Sequence, residues 1–90
     1  MSAYGEFKNR NYIYVAYLHL KGRGLVDLVE RHDLLQGVEA YENLVELANL
    51  DTFGEGIYEV SLNKEWFDDE GRFINGKILK KIIIDRGDEL

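Results

Sequence analysis

The ten residues from Asn11 to Leu20 read NYIYVAYLHL, a run dominated by aromatic and β-branched side chains. Such residues fit a pleated, half-buried surface better than a helix, so the run is expected to be a strand. Alternation puts Tyr12, Tyr14, Ala16, Leu18 and Leu20 on one face and Ile13, Val15, Tyr17 and His19 on the other. Both faces are apolar, and a strand of this kind is expected at the centre of a sheet, covered on both sides.

The punctuation that follows organises the rest of the chain. Lys21-Gly22-Arg23-Gly24 is a turn, because two glycines supply the positive φ angles that a tight reversal needs. Residues 25–31, LVDLVER, fit either a partner strand or a helix face (Leu25, Leu28, Val29, His32), and their alternation favours the strand. Asp33-Leu34-Leu35-Gln36 has the form of a capping box, in which the Asp33 carboxylate accepts an orphan backbone N–H and Gln36 reaches back. A helix is expected over about 34–49, with Leu34, Val38, Tyr41, Val45 and Ala48 as its core stripe, broadened by Leu44. Gly37 weakens its first turn by about 1 kcal/mol relative to alanine.

Phe53-Gly54-Glu55-Gly56 is a loop, and Ile57 to Leu62 alternates as a half-buried strand with Tyr58, Val60 and Leu62 on one face. Asp68-Asp69-Glu70-Gly71 is a turn. Asn75-Gly76, between Phe73-Ile74 and Ile78-Leu79, is the strongest short hairpin signal in the chain. Residues 77–85 also fit a helical face through Ile78, Leu79, Ile82 and Ile83, but three consecutive isoleucines favour a strand. The expected fold is therefore α+β, an antiparallel sheet of about four to five strands with one main helix packed on one face. Ninety residues make a single small domain, with a loose arm over 1–10 and a loose tail over 86–90.

Charge is distributed unevenly along this domain. Residues 25–70 hold thirteen acidic side chains against two basic ones, while the segments on either side are net positive and the whole chain is at −6. That asymmetry favours a basic partner surface and disfavours direct nucleic-acid contact. Lys8, Arg10, Lys21 and Arg23 with Tyr4, Tyr12 and Tyr14 could form a small basic and aromatic patch, but the overall negative charge opposes binding of single strands. On the expected helix Glu39, Glu42 and Glu46 recur at spacings of three and four, which sets them on one ridge away from the core stripe. Asp68, Asp69 and Glu70 extend that surface if their turn lies beside the helix.

Sites of chemistry are sparse. Ser2, Ser61 and Thr52 are the hydroxyl nucleophiles and His19 and His32 the imidazoles, and no spacing joins them into a triad. Metal ligation by His32 with Glu30 or Asp33, or by Asp68 to Glu70, lacks a defined loop, since a calcium loop would put Trp66 where its first aspartate belongs. Gly22-Arg23-Gly24 starts like a dinucleotide fingerprint, but Asp27 stands at the third glycine. No catalytic residue, metal or cofactor is therefore expected.

Cysteine is absent, which fits a reducing cytoplasm. The apolar run near the N-terminus is too short for a membrane span. Gly87 to Leu90 matches a retrieval-like tail and Arg86-Gly87-Asp88 an adhesion tripeptide, yet both need a secretory route that the N-terminus does not signal.

Two functions follow as expectations. One is a non-enzymatic acidic binding protein whose Glu39, Glu42 and Glu46, with Asp68, Asp69 and Glu70, occupy a basic, nucleic-acid-binding surface of another protein. Small inhibitors made by phages and mobile elements act in this way. The other is a structural protein that forms a homodimer by burying an uncovered sheet face, with Tyr12, Tyr14, Tyr17, Tyr58 and Trp66 as anchors and the acids serving solubility alone.

Overall fold

The chain folds into β1 (Tyr12–Leu20), β2 (Gly24–Arg31), α1 (Leu34–Ala48), β3 (Ile57–Phe67) and β4 (Phe73–Asp85). These come from a computed structural model that describes residues 11–50 and 54–87. The expected arm with Ser2, Tyr4, Lys8 and Arg10, the loop residues Asp51, Thr52 and Phe53, and the tail beyond Gly87 lie outside the described residues.

All strand pairs are antiparallel, and the spatial order is β2-β1-β3-β4, so one sheet of four strands carries one helix in an α+β arrangement. β1 is central, flanked by β2 and β3, as its composition implies. Gly22 and Gly24, at φ 88° and 95°, close the β1–β2 turn. Residues 25–31 and 77–85, the two ambiguous segments, are both strand. Asp33 caps α1, its carboxylate accepting from the Gln36 amide at 2.8 Å.

α1 lies on one face of the sheet, against β1, β3 and β2. The core beneath it is Tyr14, Ala16 and Leu18 from β1, Tyr58, Val60 and Leu62 from β3, and Ala40, Leu44 and Ala48 from the helix. The expected helix stripe is rotated by about one residue. Gly37, Ala40, Leu44 and Ala48 are buried, Val38, Tyr41 and Val45 flank them, and Leu34 is exposed. Close approach explains the rotation, since a Cβ at Gly37 would stand 2.9 Å from the Tyr14 Cβ. The smallest side chains face the sheet so that the helix can sit down on it.

Asn75-Gly76 is not a turn. It lies inside β4, with Asn75 opposite Trp66 and Gly76 opposite Glu65. The reversal is made upstream, where the Asp68 carboxylate accepts from the Glu70 and Arg72 amides, both at 2.9 Å, and Gly71 adopts φ 83°. Once that turn pairs Phe67 with Phe73, the eleven residues of β3 draw the Asn-Gly pair into the opposing strand.

The second cover expected for β1 is absent among the described residues, whose one helix lies on a single face. Val15, on the open face, is nonetheless only 1% exposed. The Tyr17 hydroxyl donates to Glu65 Oε2 at 2.6 Å, and since Tyr17 stands opposite Ser61 and Ile13 opposite Glu65, the ring must lie across the intervening Val15–Asn63 pair. β4 is far less protected, with nearly every residue exposed. The resulting shape is long and thin, 58 × 24 × 16 Å, with a radius of gyration of 15.4 Å where a compact chain of this length has about 12 Å.

Candidate functional site

Three surfaces stand out, and the first is the outward ridge of α1. Glu39, Glu42 and Glu46 are exposed and share the helix face directed away from the sheet. No ion pair to any of them occurs among the described residues. α1 contains neither lysine nor arginine, and it has no acid in its first turn, while Glu46 sits close to its C-terminal end, where no base stands. A helix dipole favours the reverse order of charge.

The turn acids do not extend this ridge as free charges. Asp68 pairs with the Arg72 Nε at 3.0 Å and Glu70 pairs with the same guanidinium. The Arg72 amide, with its guanidinium and the Glu70 amide, holds the Asp68 carboxyl below its usual range. Asp69 accepts from the Asn11 side chain at 3.3 Å. Among the described residues no hydrogen bond or ion pair joins this turn to Glu39, Glu42 or Glu46. His32 shares an open depression with Asp68 and Asp69, lined also by Asn11, Tyr12, Ile13, Phe67 and Gly71, and both carboxylates there already have partners. No group of three metal-ligating side chains forms among the described residues. No helix among them is long and apolar enough to cross a membrane.

A lysine held by aromatic rings forms the second surface. Tyr12 stands opposite Trp66 and Tyr14 opposite Lys64, which brings all four side chains to the helix-side face at one end of the sheet. The Lys64 Nζ lies 4.1 Å from the Tyr12 ring centroid, 5.1 Å from that of Trp66 and 5.7 Å from that of Tyr14. Cation–π attraction to three rings holds this ammonium, and no carboxylate among the described residues is paired with it. Sequence reading missed the cluster because it depends on β1–β3 register.

β4 and the open sheet face make the third surface. Phe73, Ile78 and Ile83 are 60%, 58% and 59% exposed, and Leu25, Leu28 and Ile57 add apolar area on the same side of the sheet. Lys77, Lys80 and Lys81 interleave with these side chains, and only Lys81 has an ion pair among the described residues, 3.7 Å from Glu59. Three lysines set among the apolar residues of 77–84, KILKKIII, are the available sequence signal for an edge strand, where lysine commonly discourages unwanted pairing.

Of the five expected anchors, two are spent inside the chain. Tyr58 is fully buried, its hydroxyl donating to the Gly54 carbonyl at 2.9 Å, and Tyr14 is 8% exposed beneath α1. Both lie on the helix-covered face, which the sequence alone could not distinguish from the bare one. Tyr12, Tyr17 and Trp66 remain half-buried. On the open face the Tyr17 hydroxyl is pushed from 10.0 up to about 12 by burial, by its bond to the Glu65 carboxylate and by the charge of Glu30.

Comparison of the chain with known protein families, with curated proteins and with solved structures found no match.

Proposed function

We propose that this protein is a non-enzymatic binding module that presents the outward ridge of α1 to a basic surface on another protein. The observation that carries this reading is the row Glu39, Glu42 and Glu46, exposed, without ion pairs among the described residues, on a helix devoid of basic residues. Helix stability does not account for the row, because like charges four apart repel and Glu46 opposes the dipole. Carboxylates at fixed spacing on a rigid element match arginines in a groove, including one that otherwise holds nucleic-acid phosphates. An inhibitor of the kind made by phages or mobile elements acts through such a surface, and the lack of cysteine supports the cytoplasm as its compartment.

The test is capture from lysate at low salt on immobilised protein, with the E39Q/E42Q/E46Q variant alongside. Basic proteins retained by the native chain and lost by the variant support the reading. Equal retention by both rejects it.

A second reading, self-association with the acids serving solubility, is favoured by the bare sheet face and by β4, whose apolar side chains stay exposed in the single chain. Light scattering across a range of concentration distinguishes it from a strict monomer.

A further inference from the structure

We infer that two copies of this chain join through the free edge of β4, in antiparallel register centred on Ile83, to form a continuous eight-stranded sheet. The inference rests on the self-association reading and deepens it by naming the interface and the register.

Backbone direction along β4 supplies the first step. The Arg86 amide donates to the Gly56 carbonyl at 2.8 Å, so Arg86 points its backbone groups towards β3. Antiparallel ladders alternate, and Ile84, Ile82 and Lys80 therefore point the same way while Asp85, Ile83 and Lys81 point outward. The other edge of β3 agrees, since Ile57 accepts from the Lys21 amide at 2.9 Å and so faces β1. Three outward N–H and C=O pairs are thus left without a strand partner among the described residues.

A two-fold axis through Ile83 matches these groups to themselves. Ile83 meets its own copy as a hydrogen-bonded pair, and Lys81 faces the Asp85 of the second copy twice, each with outward backbone groups. Ile82 then stands opposite Ile84, so a short apolar strip is continuous across the junction. Ile82 is 40% exposed in the single chain, with Ile84 packed at the rim of the core.

Charge selects this register over its neighbours. Centring on Lys81 would set that lysine against itself, and like charges directly opposite destabilise a strand pair. Centring on Ile82 or Ile84 places Lys81 opposite Ile83 or Gly87 and forms no ion pair. Among the described residues the Lys81 ammonium has one ion pair to give up or share, its 3.7 Å contact with Glu59. Asp85 uses Oδ1 to accept from the Gly87 amide at 2.8 Å, which leaves Oδ2 for the second copy. Lys80 would face Arg86, but that guanidinium is turned onto the Leu50 and Gly54 carbonyls. An interface this short lies well below the area of a standard stable complex, so association is weak and concentration-dependent.

Sedimentation velocity of the full chain from low micromolar to sub-millimolar concentration tests the inference, with circular dichroism to confirm folding of each variant. Native protein is expected to shift from monomer to dimer. Ile83→Pro removes an outward N–H without touching the β3 ladder and is expected to abolish the dimer in a folded chain. Lys81→Asp is expected to weaken association by about tenfold, and adding Asp85→Lys to restore it, because the exchanged charges face each other again. A native chain that stays monomeric overturns both the register and the self-association reading. A dimer indifferent to Ile83→Pro and to the charge exchange overturns the register alone.

Discussion

The part of the sheet beneath α1 and the part carried by β4 are built from much the same side chains, with opposite outcomes. Leu18, Val60 and Leu62 are fully buried, whereas Ile78 and Ile83 in β4 are more than half exposed. Hydrophobicity of the strands does not separate them. Cover does: α1 lies on one face only, against β1, β3 and β2, while Ile78 and Ile83 stand opposite Asn63 and Glu59 on the other face, which no helix among the described residues covers. Strength of fold and readiness to bind are thereby assigned to different halves of one sheet.

The largest expected effect separates the halves directly. Leu62→Ala should cost about 2–5 kcal/mol, a large share of the stability of a small domain, because it opens a cavity beneath α1. Ile78→Ala should stay within about 0.5 kcal/mol in the monomer. Urea denaturation measures both, and similar losses at the two positions would mean that β4 is covered after all.

Next in size is Gly37→Ala. Alanine gains about 1 kcal/mol of helix propensity, yet its methyl group would meet the Tyr14 Cβ at 2.9 Å, and overpacking of this kind costs about 1–3 kcal/mol. The expected net result is destabilisation by about 1 kcal/mol, seen as a lower denaturation midpoint. A rise in the midpoint would show that the helix can lift off the sheet without loss.

The open face offers a smaller, pH-dependent effect. Tyr17 holds its proton more tightly when folded, at about 12 against 10.0, so its stabilising contribution is fully present below pH 10 and is lost as pH rises from 10 to about 12. Tyr17→Phe should cost about 1 kcal/mol at neutral pH and should flatten the stability profile across that alkaline window. An unchanged profile would remove the Tyr17–Glu65 bond from the account of how Val15 is buried.

The smallest effect belongs to the aromatic cluster. Lys64→Met should cost roughly 0.5–1 kcal/mol while shifting the emission of Trp66, the single tryptophan of the chain. Unaltered emission would show that the ammonium does not sit against the indole.

Legibility in the sequence followed the same division. β1 was readable because a two-sided apolar strand has one natural place in a sheet, and the Asp33 cap because a carboxylate three residues before an amide acts locally. The Asn75-Gly76 turn was misread because an equally local device, the Asp68 carboxylate gripping two amides, closes the chain first and pulls the pair into β4. The helix stripe was misplaced by preferring large apolar residues, when Gly37 and Ala40 set the distance of approach. Which face α1 would cover, and so whether Tyr14 and Tyr58 were anchors or core, depends on handedness and register that spacing along the chain does not carry. The exposure of Glu39, Glu42 and Glu46 was readable from helical period alone, whereas the pairing of Asp68 and Glu70 with Arg72 was not.

Residue-resolved amide hydrogen exchange at low and high protein concentration tests the central claim most directly. In the bare half of the sheet, the outward amides of Lys81, Ile83 and Asp85 should exchange freely in the monomer and become protected as concentration rises, while Ile82 and Ile84, bonded to β3, stay protected throughout. Protection of Ile83 that is already complete at the lowest concentration, or that never develops, would contradict a free β4 edge that pairs with its own copy.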